Sequence, residues 1–179
     1  MAEMNRLIPF ILRWEGGYIE HKDDRGGATH RGVTLETYSQ YREGRGLCKT
    51  TNLDLQMMTI GEWSYIFEIL YWNRWLANKI RSQALANLLV DWVWMSGKWG
   101  IVLPQKILGV KEDGIVGRRT LRALNEASEG ATAERCLYEW MWETRRRFYH
   151  EIVRFNPTQS VFLVGWLNRL EALRKDAFR

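Results

Sequence analysis

A mainly helical fold with one small β-hairpin near the N-terminus is predicted by three observations. Apolar residues recur at helical spacing along most of the chain, and capping and stop residues punctuate those stretches. No alternating strand pattern is long enough for a larger sheet, and no internal repeat is present. At 179 residues, with 46% hydrophobic and 26% charged, the chain is long enough to bury a continuous core as one domain or one domain with a small lobe.

The elements follow in order. Leu7, Phe10, Ile11 and Trp14 predict a helix over 5–15 with Asn5 as a candidate N-cap, and Pro9 requires that the helix start close to it. Gly16-Gly17 ends it, and the stretch to Val33, with Gly26-Gly27 and Gly32, reads as an irregular or short hairpin. Thr34 caps a helix through about Tyr41, and 42–58 reads as a loop rich in Gly, Thr and Asn. Thr59-Ile-Gly-Glu62 is a capping box that opens a helix through Trp72. Helices are expected from about Arg81 to Ser96, stopped by Gly97, and over 100–108, ending at Gly109. Asp113-Gly114 marks a turn before a helix from about Gly117. A long amphipathic helix over 132–154 is broken by Pro157, and a last one runs over 159–176.

The net charge is +5, with ten tryptophans. Residues 1–134 carry 17 Lys/Arg against 16 Asp/Glu, whereas 135–179 carry 9 against 5, so the C-terminal part supplies most of the excess. A basic surface suits nucleic acid, anionic membranes or an anionic wall polymer. No interleaved aromatic and basic motif supports nucleic acid. Ten tryptophans suggest, besides core, a groove with apolar ring faces, on which a sugar stacks well. Cys48 and Cys136 have no metal-type spacing with His21, His30 or His150, and read as reduced structural thiols, with pairing as the alternative. The apolar run at the N-terminus is too short and interrupted for a secretory signal, and nothing resembles a membrane span.

The stretch "WEGGYIEHKDDRGGATHRGVT", residues 14–34, stands apart from this apolar background. Glu15 falls at the C-terminal end of an apolar helix, where the negative helix terminus and the low-dielectric wall of Trp14 both disfavour its carboxylate. A general acid working near neutral pH needs such a setting. Folding back as a hairpin brings Asp23, Asp24, Thr29 or Thr34 within reach of Glu15, the pairing of a protonated carboxyl with a second carboxylate or held water that glycosidases use. The glycines let backbone approach a bulky polymer. Equally, a Glu before Gly-Gly and an Asp-rich hairpin are ordinary turn chemistry, and the residues alone leave both readings open.

The same stretch resembles the signature of glycoside hydrolase family 108, E-G-G-Y, a short polar spacer, then D-x-G-G-x-T-x-x-G-[IV]-T. Glu15, Gly16, Gly17, Tyr18, Asp24, Gly26, Gly27, Thr29, Gly32, Val33 and Thr34 match it. The likeness continues through "YW" at 71–72, "LLVDWVWMSG" at 88–97, "ILGVKEDGIVGRRTLRAL" at 107–124, "RRRFYHEI" at 145–152 and "FLVGWLNRL" at 162–170. Two departures are Met95-Ser96-Gly97, where Asn-X-Gly or a small polar residue is more usual, and Arg118, where a Pro is usual. The resemblance implies a lysozyme-like fold, with a catalytic region over 1–97 and a helical peptidoglycan-binding region over 98–179 packed on the same core. It further implies N-acetylmuramidase activity on bacterial peptidoglycan, Glu15 as catalytic acid, and neither metal nor organic cofactor.

Other candidates are read beside their simpler explanations. Asp24, before Gly-Gly, is the second catalytic group or a turn-forming Asp. Thr29 and Thr34 are able to orient a water, and Thr34 is also the helix cap. Tyr18 and Tyr71 are candidates for stacking saccharides, although aromatics at helical spacing usually belong to a core. Asp91, among Leu88, Leu89, Val90, Trp92, Val93 and Trp94, needs a partner if buried, and a cleft position supporting substrate or an arginine suits it. "EDGIVGRRTL" is either part of a glycan-binding lobe or a turn and helix that complete the core. The basic last helices, with Arg145, Arg146 and Arg147, are either a solvated face or a weak attractor of anionic membrane or wall polymer. A monomeric endolysin-type enzyme is expected, made in the cytoplasm without an export tag and reaching the wall by phage-type release or a dedicated secretion route. The alternative is a non-catalytic peptidoglycan binder or secretion accessory protein.

Overall fold

The computed structural model describes residues 1–20, 27–47 and 49–178. The chain forms two compact units, Asn5–Leu70 and, separately, Met1–Met4 with Tyr71–Arg179. Most described residues are helical, as the periodicity predicts.

In the first unit α1 spans Ile8–Trp14, with Pro9 in its first turn and a 3₁₀ turn, Met4–Arg6, ahead of it. Leu7 rather than Asn5 stands at the N-cap, because a proline has no N–H to give and is accommodated only where none is needed. Leu7, Phe10 and Ile11 are buried. The expected hairpin has a third strand: β1 (Tyr18–Ile19), β2 (Thr29–His30) and β3 (Val33–Thr34) form one antiparallel sheet in that order. Arg31 and Gly32, both at positive φ (50° and 76°), make the two-residue turn whose twist suits tight hairpins. Trp63 Nε1 donates to the Arg31 carbonyl at 2.9 Å and pins that turn.

Thr34 caps α2 (Leu35–Glu43) by accepting the Thr37 N–H at 3.2 Å. The segment read as a loop contains a short helix, α3 (Asn52–Gln56), opened by a reciprocal capping box between Thr51 and Asp54. Arg42 ties α2 to Asp54 at 2.9 Å. The capping box of Thr59 and Glu62 opens α4 (Ile60–Phe67), and Glu62 also accepts from the Tyr38 hydroxyl at 3.0 Å. Instead of continuing to Trp72, α4 widens into a π turn, Glu68–Trp72, followed by two 3₁₀ turns, Asn73–Trp75 and Ala77–Lys79.

In the second unit Ser82 caps α5 (Gln83–Ser96), and Gly97 stops it at φ +55°. α6 (Trp99–Ile107) turns back onto α5 so closely that a Cβ at Gly100 would lie 2.5–2.8 Å from backbone atoms of Trp92 and Val93. Pro104, inside α6, has no N–H for the Gly100 carbonyl. That carbonyl instead accepts from Trp75 Nε1 at 3.1 Å. α7 (Arg118–Ala127) follows a loop organised by the buried Gln105, whose amide reaches Asp113 Oδ1 at 3.1 Å and the Ile115 carbonyl at 3.0 Å. α8 (Ala131–Phe155) and α9 (Ser160–Asp176) pair as a long helical hairpin, broken at Pro157 as expected.

Candidate functional site

Glu15 is the C-cap of α1, with extended backbone (φ −89°, ψ 140°) and its N–H still donating to the Ile11 carbonyl at 3.2 Å. The helix therefore fixes where the residue begins, while its departure from helical geometry turns the following Gly16-Gly17 toward the sheet. Its side chain is half-buried beside half-buried Trp14, whose ring meets Phe10 at 6.3 Å between centroids.

The register sorts the sheet residues onto two faces. Directly opposed residues share a face, so Tyr18, His30 and Val33 lie on one side and Ile19, Thr29 and Thr34 on the other. Val33 and His30 are buried, whereas Ile19 is exposed and Thr29 and Thr34 are half-buried, so the threonine face is the accessible one. The bond from the Leu35 N–H to the Ala28 carbonyl, 2.9 Å, sets Thr29 and Thr34 as a non-hydrogen-bonded pair, the closer of the two kinds of antiparallel pair. Thr34 also donates to the Thr37 hydroxyl at 3.0 Å while capping α2, so its side chain is fixed by the helix it starts.

Tyr18 is held differently. Its hydroxyl donates to Glu20 at 2.8 Å, and Asn52 of α3 donates to the other oxygen of that carboxylate at 2.8 Å. The bond to Glu20 raises the Tyr18 pKa, with desolvation and the negative charge of Glu20 acting in the same direction. His30 has its Nδ1 buried without a hydrogen-bond partner. Burial first, and then the nearby Arg31 charge, lower its pKa.

Asp24, the expected second group, lies outside the described residues, as do Asp23, His21 and Cys48. Cys136 is an exposed free thiol. Among the described residues no group of three His, Cys, Asp or Glu converges as a metal site would.

Tyr71 and Asp91 belong to the second unit. Tyr71 sits in the π turn, half-buried, its ring tilted against Trp94 at 4.5 Å between centroids. Asp91 has no exposed surface. Its Oδ2 accepts from Arg145 at 2.7 Å, and its Oδ1 accepts twice from Arg169, at 2.9 and 2.6 Å. Arg145, fully buried too, donates onward to the Tyr149 hydroxyl at 2.8 Å and the Leu88 carbonyl at 3.3 Å. Asp91 thus joins α5, α8 and α9 and has no surface to offer a sugar.

Sequence reasoning missed Glu20, Trp63 and Trp94. Glu20 carried a signal, two residues from Tyr18 and therefore on the same side of an extended strand. Trp63 and Trp94 had none, since their partners are set by tertiary packing.

Residues 8–97 match the family model described as "Glycosyl hydrolase 108", and residues 99–171 match that described as "Predicted Peptidoglycan domain". The boundary between the two matches falls between α5 and α6, which pack closely, and not at Leu70–Tyr71 where the compact units divide. Among solved structures, that of SagA from Brucella abortus is similar, at 26% identity over 97% of this chain and 92% of that one, with a TM-score of 0.75. No curated protein matches the chain.

Proposed function

The chain belongs to the glycosyl hydrolase 108 family, and from that premise we propose that it is an N-acetylmuramidase that uses Glu15 as general acid. The family match and the peptidoglycan domain together make it a peptidoglycan hydrolase at the level of the family. The bond cleaved is the β-1,4 link between N-acetylmuramic acid and N-acetylglucosamine. Glu15 gives its proton to the bridging oxygen, the bond from that oxygen to the muramyl anomeric carbon breaks, and the N-acetylglucosamine hydroxyl leaves. Water supplies the oxygen that replaces it, directly or after a covalent intermediate on Asp24.

The observation that carries this reading is the setting of Glu15. It caps an apolar helix beside Trp14 and leads through two glycines into a sheet whose open face holds Thr29 and Thr34 side by side. Two adjacent hydroxyls on a rigid strand pair suit the holding of a water or a sugar hydroxyl. Within the same unit Tyr18, held by Glu20, is half-buried next to the two glycines and is a candidate for stacking a saccharide. The setting is that of an endolysin-type enzyme that meets its wall substrate after phage-type release or by a dedicated secretion route.

Glu15→Gln keeps the size and hydrogen-bonding capacity of the side chain and removes the proton donor. It is expected to lower turnover of purified peptidoglycan by roughly 10²- to 10⁴-fold with an unchanged melting temperature. A wild-type chain that binds insoluble peptidoglycan but releases no reducing sugar would instead establish a binder.

A further inference from the structure

A groove within the first unit lies beside the accessible threonine face, and the proposed reaction does not use it. Thr37, Gln40 and Tyr41 of α2 form one wall, and Tyr65 of α4 with Ile69 and Leu70 of the π turn form the other, around an open space of about 190 Å³. Residues three and four apart share a helix face, so Thr37, Gln40 and Tyr41 make one stripe, which Arg45 continues just past the helix end. The stripe starts at the sheet itself: the Thr34 hydroxyl donates to the Thr37 hydroxyl at 3.0 Å. From Thr37 to Arg45 is about 12 Å along α2, the reach of roughly three to four extended residues.

The charge at the far end is uncommitted. Arg45 is exposed, and its guanidinium lies 4.6 Å from the ring centres of both Tyr41 and Tyr65, which meet each other at 5.6 Å. Stacking on two rings orients a guanidinium without neutralising it. Nearby Arg42 is paired to Asp54, and Glu62 is taken up by Thr59 and the Tyr38 hydroxyl. Among the described residues no carboxylate lies within ion-pair distance of Arg45, and no acidic residue lines the groove.

We propose that this groove binds the stem peptide of peptidoglycan, with Arg45 pairing one of its carboxylates, and that the enzyme therefore prefers peptide-bearing glycan to bare glycan. The inference rests on the chain being a peptidoglycan hydrolase whose reaction takes place at the threonine face. Peptidoglycan offers such a groove two chemistries, a sugar chain dense in hydroxyls and a short acidic peptide rich in methyl groups. Beyond Thr37 and Gln40 the walls are mostly ring and aliphatic surface, which suits the peptide. Its methyl groups meet Ile69 and Leu70, and its carboxylate meets the guanidinium fork, which matches that group's geometry. The peptide is attached to the muramyl residue, the sugar whose bond is cut in the proposed reaction, so a groove adjoining the reacting face is where it emerges.

The test compares the full chain on peptidoglycan that carries its stem peptides and on the same glycan stripped of them by an amidase. Wild type is expected to favour the peptide-bearing glycan by roughly tenfold in kcat/KM, through KM rather than kcat. Arg45→Glu should lose that preference while keeping the wild-type melting temperature and turnover of bare glycan, and Arg45→Lys should retain part of it. In parallel, the tripeptide L-Ala-γ-D-Glu-meso-diaminopimelate, added at millimolar concentration to isotope-labelled protein, should shift the amide signals of α2 and α4 in wild type and not in Arg45→Glu. Equal kcat/KM of wild type on the two glycans, a preference that survives Arg45→Glu, or the absence of tripeptide shifts overturns the proposal. So does a variant impaired equally on both glycans, which would make the groove a sugar subsite. Because the tripeptide titration needs no bond cleavage, failure of the Glu15 assignment and failure of this one are read separately.

Discussion

His30 is set into the closed face of the sheet while its neighbour Thr29 faces out, an alternation that follows from strand geometry alone. Burial holds its pKa below the ordinary 6.5. The unfolded chain therefore takes up a proton that the folded chain resists. The contribution to stability is complete above about pH 6.5 and declines as the pH falls below it. His30→Gln is expected to flatten that part of the profile, which denaturant melts at pH 7 and pH 5 would show as a smaller stability difference than in wild type. An equal difference would mean that His30 is not the group responsible. At this scale the placement of Glu15 at a helix end, of Tyr18 in the small sheet and of Thr34 at a helix cap was legible because the signals are local: a glycine pair, a glycine-rich run and a capping position. The pairing of Asp91 with Arg145 and Arg169 was not, since those partners lie 54 and 78 residues away.

Elements with local punctuation were legible for the same reason. Thr34 and Thr59 each accept a hydrogen bond from an N–H of the helix they open, and Gly97 and Pro157 end or break helices where the sequence says they should. The Thr51–Asp54 capping box was overlooked because its helix is short and its surroundings are loop-like. The π turn at Glu68–Trp72 has neither Gly nor Pro to announce it. Close packing at Gly100 is likewise a tertiary fact, and it gives a direct test. Gly100→Ala drives a methyl into the backbone of α5, and should cost at least about 1–3 kcal/mol by overpacking, read as a lowered denaturation midpoint at unchanged slope. Asp91→Asn leaves two arginines buried without their anion, and is expected to cost about 3–5 kcal/mol. A melting temperature within a degree or so of wild type for that variant would contradict the account of how α5, α8 and α9 are joined.

At the scale of the whole molecule, fold class and family both follow from the sequence, because the motif over 14–34 is dense and the helical periodicity spans nearly the whole chain. The division into compact units was not legible: it falls within the π turn, whereas the sequence motifs divide at the end of α5. The excess of positive charge belongs to the second unit. The proposed chemistry belongs to the first unit, where Glu15 ends an apolar helix and the chain runs on through two glycines into a sheet with one accessible, threonine-bearing face.

Mass spectrometry of purified peptidoglycan digested by wild type and by Glu15→Gln tests the central claim most directly. Wild type should release fragments that end in reducing N-acetylmuramic acid, and Glu15→Gln should release almost none while melting at the wild-type temperature. Fragments ending in reducing N-acetylglucosamine, free stem peptides, or undiminished release by Glu15→Gln would contradict it.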